Sequence, residues 1–366
     1  MYLGKTVAVV VPGHDEANFV GDVIDTLPSV ADRAYVVDDC SNDDTWEVIR
    51  AHAARANAAR SATPSVGDTE TESVLRSEFD DDSRTPAEAL SDGGALTGDS
   101  DGGALTGDFV VPIRHETNLG RGAAVKTGYR AALEDGIDVI AVMDADGQMD
   151  PDIFEDIIDP VARGEADYAV GNRLTGPASW ADMPGHRLFG NVILTLLTRI
   201  ASGYWHIRDP QNGYTAISAE ALRAVGLGAL YDDYGFLNDL LVRLNVADMP
   251  VVNVPMRARY GDEESGIDYR TFVPKLSMLL LKDFLWRLWR KYVPSRNPVA
   301  ISYVVGAVVT LLGFLGVLRS LASFETPSGR SVKRAVGGAL GLVLAMVLDS
   351  QESKRRGLRG SRKRRE

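Results

Sequence analysis

The chain has 366 residues, a single cysteine and a formal charge of −12 from 39 basic and 51 acidic side chains. With hydrophobic residues at 45% and charged residues at 25%, a wholly disordered chain and a small disulfide-stapled domain are both excluded. Such an acidic chain is not built to wrap nucleic acid, and the lone thiol of Cys40 suits a reducing compartment.

From Thr6 onward the pattern predicts alternating short strands and helices. Thr6–Val11 is a β-branched run stopped by Pro12 and Gly13, and Glu16–Leu27 reads as a helix. Ala34–Asp39 is a second buried strand, followed by a helix over Asp43–Arg55. Phe109–Arg114, a helix over Gly122–Asp135 and a strand over Asp138–Asp146 continue the series. Strands of this length alternating with helices imply right-handed βαβ units, a mostly parallel sheet and ligands at the strands' carboxyl ends. The apolar run at the N-terminus is too short for a signal peptide.

Between the second helix and third strand, residues 56–108 carry 12 carboxylates against 3 arginines and a tandem repeat, SDGGALTGD at 91–99 and 100–108. This composition buries too little apolar surface to offset chain entropy, so a disordered acidic insertion is expected. Arg outnumbers Lys 31 to 8 and Asp outnumbers Glu 35 to 16, a bias expected of a GC-rich genome and a high-salt cytoplasm, as in a halophilic archaeon.

The C-terminal third differs in kind. Lys275–Tyr292 mixes Leu and Trp with Lys and Arg, so residues 271–296 are expected to lie as an amphipathic helix in a membrane interface. Val299–Leu318 has 20 residues without a charge, which at about 1.5 Å per residue span roughly the 30 Å of a bilayer core. Ala335–Leu348 has only 14, short for a crossing. Basic residues on both flanks, including the tail over 351–366, place both ends inside, which makes 297–350 a transmembrane hairpin with a weak second span. Arg319, Arg330, Lys333 and Arg334 in its loop count against it.

Four strand ends carry polar groups: Pro12, His14 and Glu16; Asp38, Asp39 and Ser41; the Gly-rich NLGRGAAVKTG turn; and Asp144-Ala-Asp146-Gly-Gln148. Two carboxylates at i and i+2 leaving a strand share a face and repel unless a cation sits between them; Mg²⁺ or Mn²⁺ would also bridge a diphosphate. The Gly-rich turn offers backbone N–H groups to phosphate, with Arg121 and Lys126 nearby. No G-x-G-x-x-G follows the first strand, which rejects a dehydrogenase.

The ordered series VVVPGHDEA, VVDDCSNDDT, NLGRGAAVKTGYRAAL, VMDADGQMDPD, GNRL and DPQNGYTAIS resembles glycosyltransferase family 2, with its GT-A fold. Within that family the chain resembles the dolichyl- or polyprenyl-phosphate sugar (mannose or glucose) synthases, which end in membrane helices. The likeness covers about residues 5–265 apart from the insertion, so residues 1–270 are expected to form the catalytic domain.

The resemblance implies an inverting, metal-dependent enzyme that moves a hexose from a GDP- or UDP-sugar to dolichyl or polyprenyl phosphate. It further implies a role in protein glycosylation or cell-surface glycan assembly, at the cell membrane with the catalytic domain on the cytoplasmic face. Pro12, His14, Glu16, Val37 and Asp39 match positions that hold the nucleoside, His14 replacing a frequent tyrosine. Asp144, Asp146 and Gln148 match the metal and diphosphate motif, with Mg²⁺ or Mn²⁺ as cofactor. Arg173, Arg187 and Arg259 match arginines that bind donor and acceptor phosphates; Arg257 is an alternative to Arg259. Members acting on hydroxyl acceptors carry an acidic pair on a later helix. Here that pair is Asn238 and Asp239, which favours a phosphate acceptor and leaves Asp239 as the base if the acceptor is a hydroxyl. The alternatives are a transferase extending a lipid-linked or surface glycan at a hydroxyl, and a non-catalytic nucleotide-sensing scaffold in the membrane.

Overall fold

The structure, a computed structural model, describes residues 1–62, 107–174, 185–256, 269–324 and 326–363, apart from the side chains of 185–189, 191, 269–272 and 354–363. The strands are β1 (Val7–Gly13), β2 (Arg33–Asp38), β3 (Val110–Arg114), β4 (Val139–Val142), β5 (Tyr168–Asn172), β6 (Thr215–Ser218) and β7 (Val251–Pro255). They form one sheet in the order β3-β2-β1-β4-β6-β5-β7. Only β6 runs antiparallel to its neighbours, β4 and β5; the other pairs are parallel. This is the Rossmann-like, mostly parallel α/β architecture expected of a GT-A domain.

Alternation along the strands builds two cores. Val139, Ala141, Met143 and Ala145 pack with Val20, Ile24, Ile49, Phe154 and Ile158, from α1 (Val20–Asp25), α2 (Thr45–Ser61) and α4 (Phe154–Ala162). Ile140 and Val142 face the other way, onto Val125, Tyr129, Leu222 and Leu240 from α3 (Arg121–Glu134), α6 (Ala219–Val225) and α7 (Phe236–Val246). Gly128 lets α3 press onto β1, since a Cβ there would collide with the Val10 side chain.

Two expected boundaries move. The first helix begins at Val20 rather than Glu16, because the chain before it is pinned to the loop after β2. Asp15, at φ +58°, donates its N–H to Ser41 Oγ, and Glu16 donates its own to Thr45 Oγ1. The second helix runs to Ser61, into the stretch assigned to the insertion. Asn57 brackets Val110 of edge strand β3, accepting from its N–H at 2.8 Å and donating to its carbonyl at 2.9 Å. Arg60 donates to Ala31 O and lies 4.0 Å over the Phe109 ring. Residues 56–62 therefore belong to the folded domain, while residues 63–106 of the expected insertion lie outside the described residues.

Further helices are α5 (Gly185–Ser202), between β5 and β6, and, after the last strand, α8 (Tyr269–Arg287, continued by a π-helical turn Leu288–Tyr292), α9 (Pro298–Ala322) and α10 (Gly329–Lys363). Pro298–Ala322 and Gly329–Ser353 are each 25 residues long and apolar enough to cross a membrane. The second exceeds the 14-residue run seen in sequence because the helix continues through Arg330, Lys333 and Arg334, long side chains that can keep their charges in water at a membrane edge. The two helices lie antiparallel and close. Gly313 faces the Ala335 backbone, Gly338 the Thr310 backbone and Gly306 Leu342, and a Cβ on any of these glycines would collide. Their outer faces expose Val304, Val308, Leu311, Phe314, Leu340 and Leu344.

Candidate active site

The carboxyl ends of β1, β2 and β4 converge as the sequence predicts. β4 is assigned only to Val142, yet Met143 N–H donates to Val10 O and Ala145 N–H to Pro12 O, so its parallel register with β1 continues into the acidic turn. Alternation therefore carries Asp144 to the α3 side of the sheet. There Arg121, in the first turn of α3, donates from Nε (3.0 Å) and Nη2 (2.5 Å) to Asp144 Oδ1. Burial works against the Arg121 charge, but the adjoining Asp144 carboxylate raises its pKa above the ordinary value. Asp146 Oδ1 accepts from Gln148 N–H at 2.9 Å, closing a tight turn in which Gly147 takes φ +70°. Gly213, in the loop before β6, lies over the pair; a Cβ there would strike Arg121, Asp144 and Met149.

The donor set suits a cation shared with a substrate and not one caged by protein. Among the described residues no group of three or more His, Cys, Asp or Glu side chains could hold a metal. Mg²⁺ and Mn²⁺ favour hard oxygen ligands, and Mg²⁺ binds through one or two carboxylates, water and substrate phosphates, which Asp144 and Asp146 can satisfy without a third side chain.

The nucleoside-side residues divide. Pro12 is buried and pairs with Val37, which is wholly inside the sheet. Asp39, 3% exposed, is an anchor: it accepts from His115 Nδ1 (2.7 Å), Leu119 N–H (2.9 Å) and Gly120 N–H (2.8 Å). His115 in turn meets Thr127 Oγ1 through Nε2. His14 is half-buried; its Nδ1 lies 3.0 Å from Asp39 O, and its Nε2 lies 3.1 Å from Asn118 Nδ2 and 3.5 Å from Asp15 Oδ2. Asn118 Oδ1 accepts from Gly120 N–H, which sets the orientation of its amide.

These bonds take up part of the backbone expected to cradle phosphate in the Gly-rich turn. The N–H groups of Leu119 and Gly120 serve Asp39, and that of Ala123 serves Gly120 O and Asp232 O. Gly120, at φ +94°, and Gly122 leave no room for a Cβ beneath the 231–233 backbone. Lys126 points away from the strand ends, donating to Leu230 O and pairing with Asp232. The turn also presents the Arg121 side chain at the acidic turn.

Of the arginines expected to bind phosphate, Arg173 is clasped by Asp209, donating from Nε to Oδ2 (2.8 Å) and from Nη2 to Oδ1 (3.1 Å). Arg187 falls in the first turn of α5, but its side chain lies outside the described residues, as do Arg257 and Arg259 altogether. Asn238 is fully buried and its Oδ1 accepts from Thr198 Oγ1 and Gln211 Nε2, both at 2.8 Å. Asp239, 2% exposed, accepts from Tyr231 N–H and Arg243 Nε. Sequence reasoning passed over His115, Asn118, Asp209 and Gly213. Only the DPQNG string offered a signal for the last two, and nothing local marked His115, whose partners are 76 and 12 residues away.

Residues 80–226 match the family model described as glycosyl transferase family 2. A UDP-N-acetylglucosamine–dolichyl-phosphate N-acetylglucosaminyltransferase of Methanococcus voltae is 32% identical over 150 residues, 40% of this chain and 59% of that protein. An undecaprenyl-phosphate mannosyltransferase of Micrococcus luteus is 32% identical over 148 residues, 40% of this chain and 60% of that one. The chain thus spans about three fifths of the length of these relatives. Among solved structures, glucosyl-3-phosphoglycerate synthase from Mycobacterium tuberculosis, in complex with Mn²⁺, UDP and glucosyl-3-phosphoglycerate, is 17% identical with a TM-score of 0.46, covering 78% of this chain and 80% of that one. The motif series, the sheet that orders it and the family match point the same way: the α/β domain is similar to the family 2 glycosyltransferases over residues 80–226.

Proposed function

We propose that the protein is an inverting glycosyltransferase that moves a hexose from a GDP- or UDP-sugar onto the phosphate of dolichol or another polyprenol. The observation that carries this reading is the state of α7. A hydroxyl acceptor needs a base to take its proton, whereas a lipid phosphate is already anionic at neutral pH and needs only positioning. Asn238 cannot serve as that base, and both oxygens of the buried Asp239 are engaged by Tyr231 and Arg243. The lipid-phosphate acceptors in the names of both relatives support the same acceptor class.

In this reading a phosphate oxygen of the acceptor forms a bond to the anomeric carbon as that carbon's bond to the nucleoside diphosphate breaks, with inversion. Asp144 and Asp146 would hold Mg²⁺ or Mn²⁺, which supplies positive charge against the departing diphosphate. Arg121 sits beside that pair, so its guanidinium can meet a diphosphate oxygen with two N–H donors. Asp39 keeps the turn of Leu119 and Gly120 against the nucleoside end, His14 and Glu16 edge it, and Gln148 completes the acidic turn. Arg173, Arg187 and Arg259 would take the remaining phosphate charge. Two apolar helices and an exposed apolar face on α8 (Met278, Leu281, Leu285, Trp289) suit a protein of the cell membrane that meets its lipid at the interface, with the catalytic domain and the basic tail on the cytoplasmic side.

The test is acceptor competition. Membranes holding the full chain, Mn²⁺ and labelled nucleotide sugar should transfer label to polyprenyl phosphate and not to the corresponding polyprenol, and Asp146→Ala should lower the rate by at least about 100-fold, the scale of losing one transition-state charge partner. Transfer to the alcohol contradicts the acceptor. Nucleotide binding without turnover on either favours the non-catalytic scaffold.

A further inference from the structure

Where the membrane hairpin meets the catalytic domain, one ionic cluster is completely shut off from solvent. Arg287, at the end of α8, and Asp349, on α10, are both 0% exposed. Arg287 donates from Nη1 to Asp349 Oδ1 (2.9 Å) and from Nη2 to Asp349 Oδ2 (2.7 Å). It also donates from Nε to Ala201 O (2.8 Å) and from Nη2 to Ile200 O (3.0 Å), capping the last turn of α5. Those carbonyls are ones a helix leaves without intrahelical partners, at its negative end. Asp349 is completed by the hydroxyls of Tyr292 and, at 3.2 Å, Tyr303 of α9. Gly203, at φ +76°, ends α5 and makes room for Arg287; a Cβ there would press on the guanidinium. One turn on, Lys291 donates to Asn245 Oδ1 (2.8 Å) and pairs with Asp248 (3.0 Å) past the end of α7.

A buried ion pair of this kind is weak evidence of added stability, because two charges must first be desolvated. Its best-attested use is to fix one register among packed helices, and an acid in an otherwise apolar helix calls for a functional reason. The geometry supplies one. α5 starts at the Arg187 turn and ends in the grip of Arg287. In its C-terminal half, Thr198 donates to Asn238, which also holds Gln211, and two residues after Gln211 stands Gly213, against Asp144 and Arg121. Bonded contacts thus run from the hairpin through α5 to the loop over the acidic turn.

We propose that the Arg287–Asp349 pair is a register lock by which the hairpin sets the depth and rotation of α5, making Arg287 a positioning residue for the lipid acceptor. The acceptor half of this statement rests on the function proposed above; the lock itself does not. The hairpin is then more than an anchor: it places the acceptor helix against the donor site.

Two readouts on the full chain in lipid nanodiscs test it. Spin labels at Leu197→Cys, on the exposed face of α5, and Val304→Cys, on the exposed face of α9, in a Cys40→Ser background, should give a single narrow distance distribution that broadens in Asp349→Asn. An equally narrow distribution in Asp349→Asn overturns the lock, whatever the enzyme's activity. In steady-state kinetics, Asp349→Asn should raise KM for polyprenyl phosphate at least about tenfold and leave KM for the nucleotide sugar within twofold. Tyr303→Phe, which removes one hydroxyl and no charge, should shift the acceptor KM the same way by about threefold and covers the case in which Asp349→Asn fails to fold. Donor and acceptor KM values rising together, or neither rising, overturn the positioning role. A wild-type chain that transfers nothing to polyprenyl phosphate sinks the proposed function and leaves the lock to the distance measurement.

Discussion

Asp39 shows how one carboxylate can hold a loop at the strand ends where a nucleotide is proposed to bind. It receives three N–H donors from a turn about 80 residues downstream, each a charge-assisted bond worth about 1.5–3 kcal/mol. Asp39→Asn turns one acceptor oxygen into a donor facing Gly120 N–H. It should lower the melting temperature and weaken nucleoside diphosphate binding, read by thermal shift with and without the nucleotide. Asp283 is the opposite case. Burial first, and the neighbouring Asp239 second, raise its pKa from 3.8 to about 7, against the lowering pull of Arg243 and Lys282, and its Oδ2 is buried without a hydrogen-bond partner. A carboxyl with a raised folded-state pKa favours the fold below its unfolded value, and that contribution drains away as pH climbs toward the folded value. Asp283→Asn should therefore stabilise the protein more at pH 8 than at pH 4, by up to about 4 kcal/mol at roughly 1.4 kcal/mol per pH unit. A melting-temperature difference that is flat from pH 4 to 8 contradicts this.

At the scale of elements, Asn57 is the hinge between what sequence could and could not say. Composition marked the acidic stretch, but not that α2 runs on to Ser61 to bracket Val110, because that contact joins residues 53 apart. Asn57→Ala should loosen β3, seen as faster amide exchange at Val110 and Val111 with little change in β1. The strand ends were legible because short β-branched runs and a two-residue alternation are local signals; that Leu119 and Gly120 of the Gly-rich turn give their N–H groups to Asp39 was not, because it is a tertiary fact. The second membrane helix was undervalued for a similar reason: Gly306, Gly313 and Gly338 are interface positions only once the partner helix is present. Gly313→Val should force α9 and α10 apart and reduce the melting temperature in nanodiscs, while the same change at Gly337, which meets nothing within 4 Å, should not.

For the whole molecule, the sheet brings the polar and acidic groups to the carboxyl ends of its strands, and the C-terminal helices bring an apolar surface to the same chain. The family likeness and the fold follow from motifs read in order, whereas the proposed acceptor class rests on side chains that the fold has buried. Asn238 and Asp239 could be read in sequence as a broken acidic pair, but not as groups already bound to Thr198, Gln211, Tyr231 and Arg243. The most direct measurement isolates the labelled lipid made from nucleotide sugar and polyprenyl phosphate and exposes it to mild acid. Release of free sugar at a rate typical of a glycosyl phosphodiester, from a product that Asp146→Ala does not make, is the predicted result. A lipid product that keeps its sugar through that treatment, or one that Asp146→Ala makes as readily as the natural chain, contradicts the account.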